Sequence, residues 1–243
     1  MHIIKLDAIG STNAYLKELM TEKELSDYTI VVAKHQTEGR GQMGTSWHVE
    51  KGKNLTFSVL KKMRTTRVED SFYMSMMVSI AIVKTLQAFN VPKLAIKWPN
   101  DILSEEKKIC GILIENVIKQ TRIDASVIGV GLNVNQRNFE GLPQASSLLK
   151  ITGVPYNLDE LLVHIIAQLQ DLFKQFDNGH RASLKHEYES LLFRKNKPST
   201  FSYSDRTTFP GIIKGVDRDG HLQVLVEDDI IKTFAMKEVR LLY

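Results

Sequence analysis

The sequence is poor in the features that mark secreted and membrane proteins. Cys110 is the only cysteine among 243 residues, so no intramolecular disulfide can form. No apolar run approaches the length of a membrane span, and residues 1–7 lack the charged-then-apolar layout of a signal peptide. These absences predict a cytoplasmic protein without a membrane partner, because thiols stay reduced in that compartment.

Several signatures of enzymes and nucleic-acid-binding proteins are also missing. The net charge is +4 and the pI is about 9.0, yet lysine and arginine are dispersed and form no long block. The phosphate-loop pattern G-x-x-x-x-G-K-[ST] does not occur, and the seven histidines are scattered rather than grouped with cysteine. The composition, 43% hydrophobic and 25% charged, is that of a globular protein.

Glycine is concentrated in one stretch, Gly39–Trp47, which holds three glycines, one arginine and one tryptophan. Glycines let backbone N–H groups approach an anion closely, and Arg40 adds a guanidinium suited to phosphate or carboxylate. The glycines read G-x-G-x-x-G, but a dinucleotide fingerprint needs a helix directly afterwards and an acidic residue about 20 positions later. Residues 45–53 are polar and irregular, and residues 60–64 contain no acid. The stretch is therefore predicted to be an anion-binding loop between two strands.

Hydrophobic periodicity predicts an α+β fold with a mixed, largely antiparallel sheet and packed helices. A short polar connection, residues 104–108, predicts an antiparallel hairpin between the strands at 94–98 and 109–115. The other predicted strands are residues 2–6, 29–33, 54–60 and 125–135, and the predicted helices are residues 14–20, 72–89, 157–179 and 182–192.

The composition changes after the second predicted C-terminal helix. Residues 194–199 have the character of a linker, and beyond them short strands alternate with turn signals at Asp219-Gly220 and Asp228-Asp229. This pattern predicts a small C-terminal β-barrel that docks on the main domain. We therefore expect a catalytic domain at residues 1–195 and a barrel domain at residues 196–243.

Polar clusters interrupt the apolar strands in three further places: the turn Lys97–Asp101, Lys108, and Asn133 with Asn135. Carboxylate and amide oxygens suit Mg²⁺, which makes Asp101 a candidate metal ligand. Lys97, Lys108 and Arg40 could neutralise phosphate, and charge neutralisation is most of what phosphoryl or adenylyl transfer requires.

Four motifs occur together in one order: Gly39-Arg40-Gly41-x-x-Gly44-x-x-Trp47, Lys97-Trp98-Pro99-Asn100-Asp101, Lys108-Ile109-x-Gly111-Ile112-Leu113-Ile114-Glu115 and Gly129-x-Gly131-x-Asn133-x-Asn135. In the order and spacing of these motifs, the chain closely resembles the biotin–protein ligases over essentially its whole length. The resemblance implies a class II synthetase-like sheet with an SH3-like C-terminal barrel. It also implies ATP and Mg²⁺ as cofactors, and biotinylation of a lysine on a biotin carboxyl carrier protein domain through biotinyl-5′-AMP.

The same resemblance implies roles for individual residues. The implied catalytic residues are Arg40, Lys97, Asp101 and Lys108, with Asp101 also holding Mg²⁺. The residues implied to bind biotin are Ser11, Thr12, Asn13, Gln36, Gly39, Arg40, Lys108, Gly111 and Gly131. Those implied to bind ATP or the adenylate are Arg40, Gln42, Trp47, Lys97, Asn100 and Asn133.

The chain departs from the family at two loop positions, Gln42 and Thr45, where relatives often carry arginine. Many relatives also have an N-terminal DNA-binding domain, whereas here Ser11 lies close to Met1, so we expect no DNA binding. A homodimer is left open. The rival hypotheses are a lipoate–protein ligase, a catalytically inactive ligand-binding homologue and, from another class, a nucleic-acid-binding module.

Overall fold

The computed structural model describes residues 2–47 and 49–243, with residues 43, 64 and 65 described by their backbone only. The chain forms a seven-stranded mixed sheet with strand order β1-β2-β3-β7-β6-β5-β4 and a second, five-stranded sheet with order β11-β10-β9-β8-β12. The predicted α+β fold with packed helices is confirmed. Pairing in the first sheet is antiparallel except between β1 and β2, which run parallel.

The strands and helices have the following bounds. The first sheet consists of β1 (His2–Leu6), β2 (Thr29–Ala33), β3 (Leu55–Arg67), β4 (Leu94–Lys97), β5 (Asp101–Ser104), β6 (Lys107–Lys119) and β7 (Arg122–Leu132). The second consists of β8 (Pro198–Tyr203), β9 (Thr208–Val216), β10 (Leu222–Leu225), β11 (Ile231–Phe234) and β12 (Val239–Leu242). The α-helices are α1 (Thr12–Glu22), α2 (Phe72–Ala88), α3 (Leu148–Thr152), α4 (Leu158–Asp177) and α5 (Arg181–Ser190). None of the described helices is long and apolar enough to cross a membrane.

The helices begin where capping residues satisfy their first N–H groups. Asn157 accepts hydrogen bonds from the backbone of Asp159 and Glu160 at the start of α4, at 2.9 and 3.2 Å. Ser11 caps α1 by accepting from Ala14 N at 3.4 Å. Capping therefore fixes where α1 starts and places residues 11–13 at the N-terminal end of the helix.

The two faces of the large sheet are covered differently. The main core lies on the face covered by α2, α4 and α5 and includes the buried Met74 and Phe173. On the other face α1 packs alone, with Leu16 contributing to a smaller cluster that also holds Leu60 and Val127. Among the described helices only α1 packs on this second face, and that leaves room for a cavity above the sheet beside its N-terminus.

The predicted hairpin between residues 94–98 and 109–115 is wrong. A separate four-residue strand, β5, lies between them and pairs with both β4 and β6. The sequence marks the turns on both sides of β5, but the two apolar residues between them, Ile102 and Leu103, are too few to predict a strand. The expected linker at 194–199 likewise contains the start of β8, and the short α3 was not expected.

The second sheet packs against the part of the chain that forms the large sheet and its helices. Trp98 Nε1 donates a hydrogen bond to the carbonyl oxygen of Gly220 at 2.8 Å, and the ring of Phe72 lies against the same glycine. Phe201 and Ile213 belong to the main core cluster. The predicted docking of the small sheet is therefore confirmed, while its closure into a barrel stays a prediction.

Candidate active site

A cavity of about 330 Å³ lies above the second face of the large sheet, between the N-terminus of α1 and the glycine loop. One row of paired residues crosses its floor: Asp101 is paired with Gly111, Gly111 with Gly131, and Gly131 with Thr56. Directly paired residues on neighbouring strands point to the same face. Two glycines in the middle of the row therefore leave the sheet bare of side chains at this point.

The indole of Trp47 lies on this glycine floor. A β-carbon at Gly131 would collide with the indole, and one at Gly111 would lie 3.2 Å from Cζ3 of the ring. The Nζ atom of Lys108 stands 5.6 Å from the centroid of the same ring. The glycines are thus required by the close approach of an aromatic ring to the backbone.

The loop that carries Trp47 is closed by its own backbone hydrogen bonds. Gly41 N donates to Thr45 O at 2.6 Å, and Trp47 N donates to Gly39 O at 2.9 Å. Only a three-residue 3₁₀ turn, Gln42–Gly44, follows the first glycines. In the described part of the loop no α-helix begins after the glycines, so the helix that a dinucleotide fingerprint needs is missing there.

Arg40 stands at the edge of the cavity rather than inside it. Its side chain is 66% exposed, and Nη2 lies 3.9 Å from the carboxylate of Glu38. An exposed guanidinium 3.9 Å from a carboxylate is held weakly by that contact and can turn toward an anion in the cavity.

Lys108 and Asp101 form an ion pair on the cavity wall, with Nζ 2.7 Å from Oδ1 and side-chain exposures of 33% and 18%. Ile102 pairs with Cys110 and Leu103 with Lys108, so Ile109 is an extra residue in β6. Such a β-bulge re-aims the neighbouring side chains. The bulge therefore explains how one strand both buries Ile109 and Cys110 and turns Lys108 toward the cavity.

A second cavity of about 370 Å³ adjoins the first and lies between the two sheets. Gln42, Asp101 and Lys237 line both. Burial lowers the pKa of Lys97 in its wall; Asp101 opposes this shift, while Lys108 and Arg240 add to it. Among the described residues, the two cavities are lined by five cationic side chains and a single carboxylate, an arrangement that favours a polyanion. The cations are Arg40, Lys97, Lys108, Lys237 and Arg240.

The far end of the first cavity is polar. Gln36 Oε1 accepts hydrogen bonds from the backbone N and the hydroxyl of Thr12, at 2.7 and 3.0 Å. Both residues are more than 90% buried. A buried polar end of this kind is suited to a ligand that itself carries donors and acceptors.

The structure brings most of the predicted site residues together. Those lining the first cavity are Ser11, Thr12, Asn13, Gln36, Arg40, Gln42, Trp47, Asn100, Asp101, Lys108, Gly111 and Gly131. Lys97 lines only the second cavity, and Gly39 and Asn133 line neither. Asn100 donates through Nδ2 to Ile112 O at 2.8 Å, so part of its amide is already engaged in fixing the turn to β6.

Sequence reasoning missed several cavity residues on the strands. Thr56, Ser58 and Gly129 share the face that carries the glycine floor, and Thr56 and Gly129 line the cavity. The signal was present in β3, where Thr56 and Ser58 alternate with buried apolar residues. Polar residues at a period of two on a buried strand indicate a face that meets a ligand or a polar cluster.

The chain is similar to known ligases in sequence and in structure. Residues 6–133, just over half of the chain, match the model of the biotin/lipoate A/B protein ligase family. The bifunctional ligase/repressor BirA of Escherichia coli is 29% identical over 238 residues, covering 97% of this chain and 73% of that protein. The biotin–[acetyl-CoA-carboxylase] ligase of Mycobacterium tuberculosis is 28% identical over 216 residues, covering 88% and 79%.

Solved structures give the same result. The biotin protein ligase of Aquifex aeolicus, in complex with biotin and ATP, superposes with a TM-score of 0.82 at 27% identity and covers 99% of this chain and 98% of that one. The resemblance drawn from the four motifs is confirmed, although the repressor part of the BirA name is not carried over. The chain belongs to the biotin/lipoate A/B protein ligase family.

Proposed function

We propose that this protein attaches biotin to a lysine of a biotin carboxyl carrier protein domain in two steps. In the first, the biotin carboxylate attacks the α-phosphate of ATP, which gives biotinyl-AMP and releases pyrophosphate. In the second, the lysine amine attacks the acyl carbon, and AMP leaves. The observation that carries the proposal is one cavity that joins a polar end, a glycine floor and a cation-rich opening, in the fold of a ligase solved with biotin and ATP.

The ends of the cavity suit the two ends of biotin. Thr12 and Gln36 form the polar end, where a ureido ring can exchange hydrogen bonds. The bare strands at Gly111 and Gly131 and the indole of Trp47 would enclose the apolar part of the ligand. Lys108 stands where the carboxylate would lie, and its charge would stabilise the oxygens of the forming acyl phosphate.

The cationic opening suits the triphosphate. Lys97 in the second cavity and the exposed charge of Arg40 would offset the charge that develops on the phosphates during transfer. Gln42 and Trp47 would contact the nucleotide, and Asn100 would present its remaining amide oxygen. Asn133 is buried just beyond β7, where its backbone bonds Ile109 and Leu148, so we propose that it supports the nucleotide site through these backbone hydrogen bonds.

Magnesium fits this site only as an ion bound mainly by the substrate phosphates. Asp101 is the one carboxylate among the described residues that line the first cavity, and it is paired with Lys108. One carboxylate is a usual protein contribution to Mg²⁺ that is held mainly by substrate phosphates. The ion would supply charge neutralisation, and Asp101 would be its protein ligand.

The second step requires a lysine to reach the cavity from outside. Asp101 lies where the two cavities meet, and its carboxylate can accept a hydrogen bond from the entering amine and orient it. We propose the division into residues 1–195 and 196–243, with the small sheet shaping the opening. Deleting residues 199–243 should then impair transfer to the carrier more than it impairs adenylate formation.

The test is biotin-dependent exchange of labelled pyrophosphate into ATP by the purified chain, followed by transfer to a carrier domain. Exchange with biotin and none with lipoate is the expected result. Exchange with lipoate alone would favour the rival lipoate–protein ligase. The polar end at Thr12 and Gln36 argues against that rival, because a dithiolane ring offers no N–H or carbonyl group to meet it.

The loop substitutions Gln42 and Thr45 lead to a measurable difference from relatives with arginine there. Thr45 donates its hydroxyl to Gln42 O at 2.9 Å, so the pair closes the loop without adding charge. We propose that the adenylate is released faster than in such relatives. Gln42→Arg should prolong retention, as measured by the loss of labelled adenylate from the enzyme.

A further inference from the structure

One acidic residue near the site has no role in the proposed reaction. Glu115 belongs to the motif that begins at Lys108, and it lies on β6 four residues beyond Gly111, on the same face of the sheet. Its carboxylate accepts hydrogen bonds from Lys17 Nζ at 2.6 Å and from Asn13 Nδ2 at 2.8 Å. Glu115 therefore connects the outer surface of α1 to a residue that lines the cavity.

A chain of side chains continues from Asn13 to the polar end of the cavity. Ser58 Oγ lies 2.5 Å from Asn13 Oδ1 and 2.7 Å from Thr12 Oγ1. Thr12 in turn contacts Gln36 Oε1. Ser58 is fully buried, and Asn13, Thr12 and Gln36 are each less than 10% exposed, so water cannot substitute for a lost partner.

The carboxylate gives this chain a direction. An ionised carboxylate can only accept, so the group of Asn13 that faces Glu115 must be its NH₂. The carbonyl of Asn13 is then turned toward Ser58, whose single hydroxyl proton is used on that oxygen. The Thr12 hydroxyl also has a single proton, which it donates either to Gln36 Oε1 or to Ser58 Oγ. In either case Gln36 Oε1 accepts from the backbone N of Thr12.

The backbone beneath Asn13 is shaped for this one orientation. A β-carbon at Gly129 would lie 2.5 Å from Asn13 Oδ1, so the strand must be bare for the amide to lie flat on it. Asn13 Nδ2 also reaches Leu113 O at 3.3 Å, which adds a second acceptor on the same side. The amide group is thus held by acceptors on one side and by a donor on the other.

We propose that Glu115 is a positioning residue that fixes, through Asn13 and Ser58, which donors and acceptors the cavity presents to a polar ring. The inference rests on the proposed function, since biotin supplies that ring. Glu115 itself does not touch the ligand. Its effect should therefore be on recognition of the ureido group and not on binding of ATP.

Three variants separate positioning from simple stability. Glu115→Ala removes the acceptor for Asn13. Glu115→Gln keeps an amide oxygen for Asn13 but removes the charge that pairs with Lys17. Lys17→Met is the matched control, because it removes the ion pair and leaves the carboxylate in contact with Asn13.

The measurement is the KM for biotin, for ATP and for iminobiotin, in which an imino group replaces the ureido carbonyl, in the pyrophosphate-exchange assay. For Glu115→Ala we expect the biotin KM to rise about 10- to 100-fold with an ATP KM within about 2-fold of wild type. The preference for biotin over iminobiotin should fall, since a disordered donor–acceptor pattern no longer distinguishes the two rings. Glu115→Gln and Lys17→Met should keep that preference within about 3-fold of wild type.

An unchanged preference in Glu115→Ala, or an equal loss of preference in Glu115→Gln, would overturn the inference. If Glu115→Ala does not fold, Ser58→Ala serves in its place. It interrupts the hydrogen-bonded row of side chains between Asn13 and Thr12 and leaves the Glu115–Lys17 pair intact. It should show the same loss of preference, and a normal preference would also overturn the inference. A wild-type chain without biotin-dependent exchange would contradict the proposed function instead.

Discussion

Replacing Lys108 with methionine tests the centre of the proposed site. Methionine keeps most of the stem that packs beside Gly111 and Trp47 but removes the ammonium. Loss of one preorganised charge at a developing oxyanion typically lowers kcat about 100- to 1,000-fold. We expect a loss of that size in the biotin-dependent exchange of pyrophosphate.

The same substitution leaves Asp101 without its partner, so its effect on stability must be separated from its effect on catalysis. At 2.7 Å and an effective dielectric constant of about 20, the Coulomb attraction of the pair is about 6 kcal/mol. Desolvation offsets most of this, and Lys108 is 33% exposed, so the net loss of stability should be about 1–2 kcal/mol.

The double variant Lys108→Met with Asp101→Asn distinguishes the two effects. Removing both charges should restore the stability lost in Lys108→Met, as followed by urea unfolding, because no uncompensated carboxylate remains. It should not restore exchange. Recovery of exchange in the double variant, or a rate near that of the wild type in Lys108→Met, would refute the role given to the ammonium.

Three further predictions follow from glycines and from one carboxylate. Gly129→Ala should raise the biotin KM about 10-fold without changing the ATP KM, since the new methyl group displaces the amide of Asn13. Gly220→Ala should lower the melting temperature by about 2–8 °C, because the residue has φ of +88° and no free space; Gly52→Ala, with φ of +70° in open space, is the control and should cost less. Burial raises the pKa of Glu115, but hydrogen bonds from Lys17 and Asn13 and the charges of Lys17 and Arg40 outweigh burial, so the pKa lies below its usual 4.5. The stability from this carboxylate is thus complete above about pH 4.5 and lost below it, and wild type should lose more stability than Glu115→Gln between about pH 5 and pH 3.

Much of the site could be predicted because its residues produce recognisable local sequence patterns. A glycine-rich loop with Arg40, a proline turn ending in Asp101, and Lys108 before an apolar strand all interrupt regular patterns. Their meeting in one cavity follows from the antiparallel order of β5, β6, β7 and β3, which places Asp101, Gly111 and Gly131 in one row.

What could not be predicted depends on details finer than a hydrophobic pattern. The bulge at Ile109 shifts the register of β6 by one residue, and no sequence signal marks it. The partners of Asn13 lie about 45 and 100 residues away, at Ser58 and Glu115, so that only the folded chain brings the network together. Asn100 was expected to bind ATP or the adenylate, which stays a prediction, but no sequence signal marks the hydrogen bond that its NH₂ group donates to the carbonyl of Ile112.

The glycines of β6 and β7 show why the proposed site lies on the face of the sheet that carries α1. A glycine in the middle of a strand weakens it, since it has no side chain to pack and loses more entropy on folding. Here Gly111 and Gly131 meet the indole of Trp47, and Gly129 meets the amide of Asn13. Side chains at these positions would fill the cavity floor, while the opposite face of the same strands remains a continuous apolar core with Ile112 and Val130. The sheet therefore keeps its stability on one face and leaves the other open for a ligand, and for that reason substitutions at the three glycines should impair ligand binding more than folding.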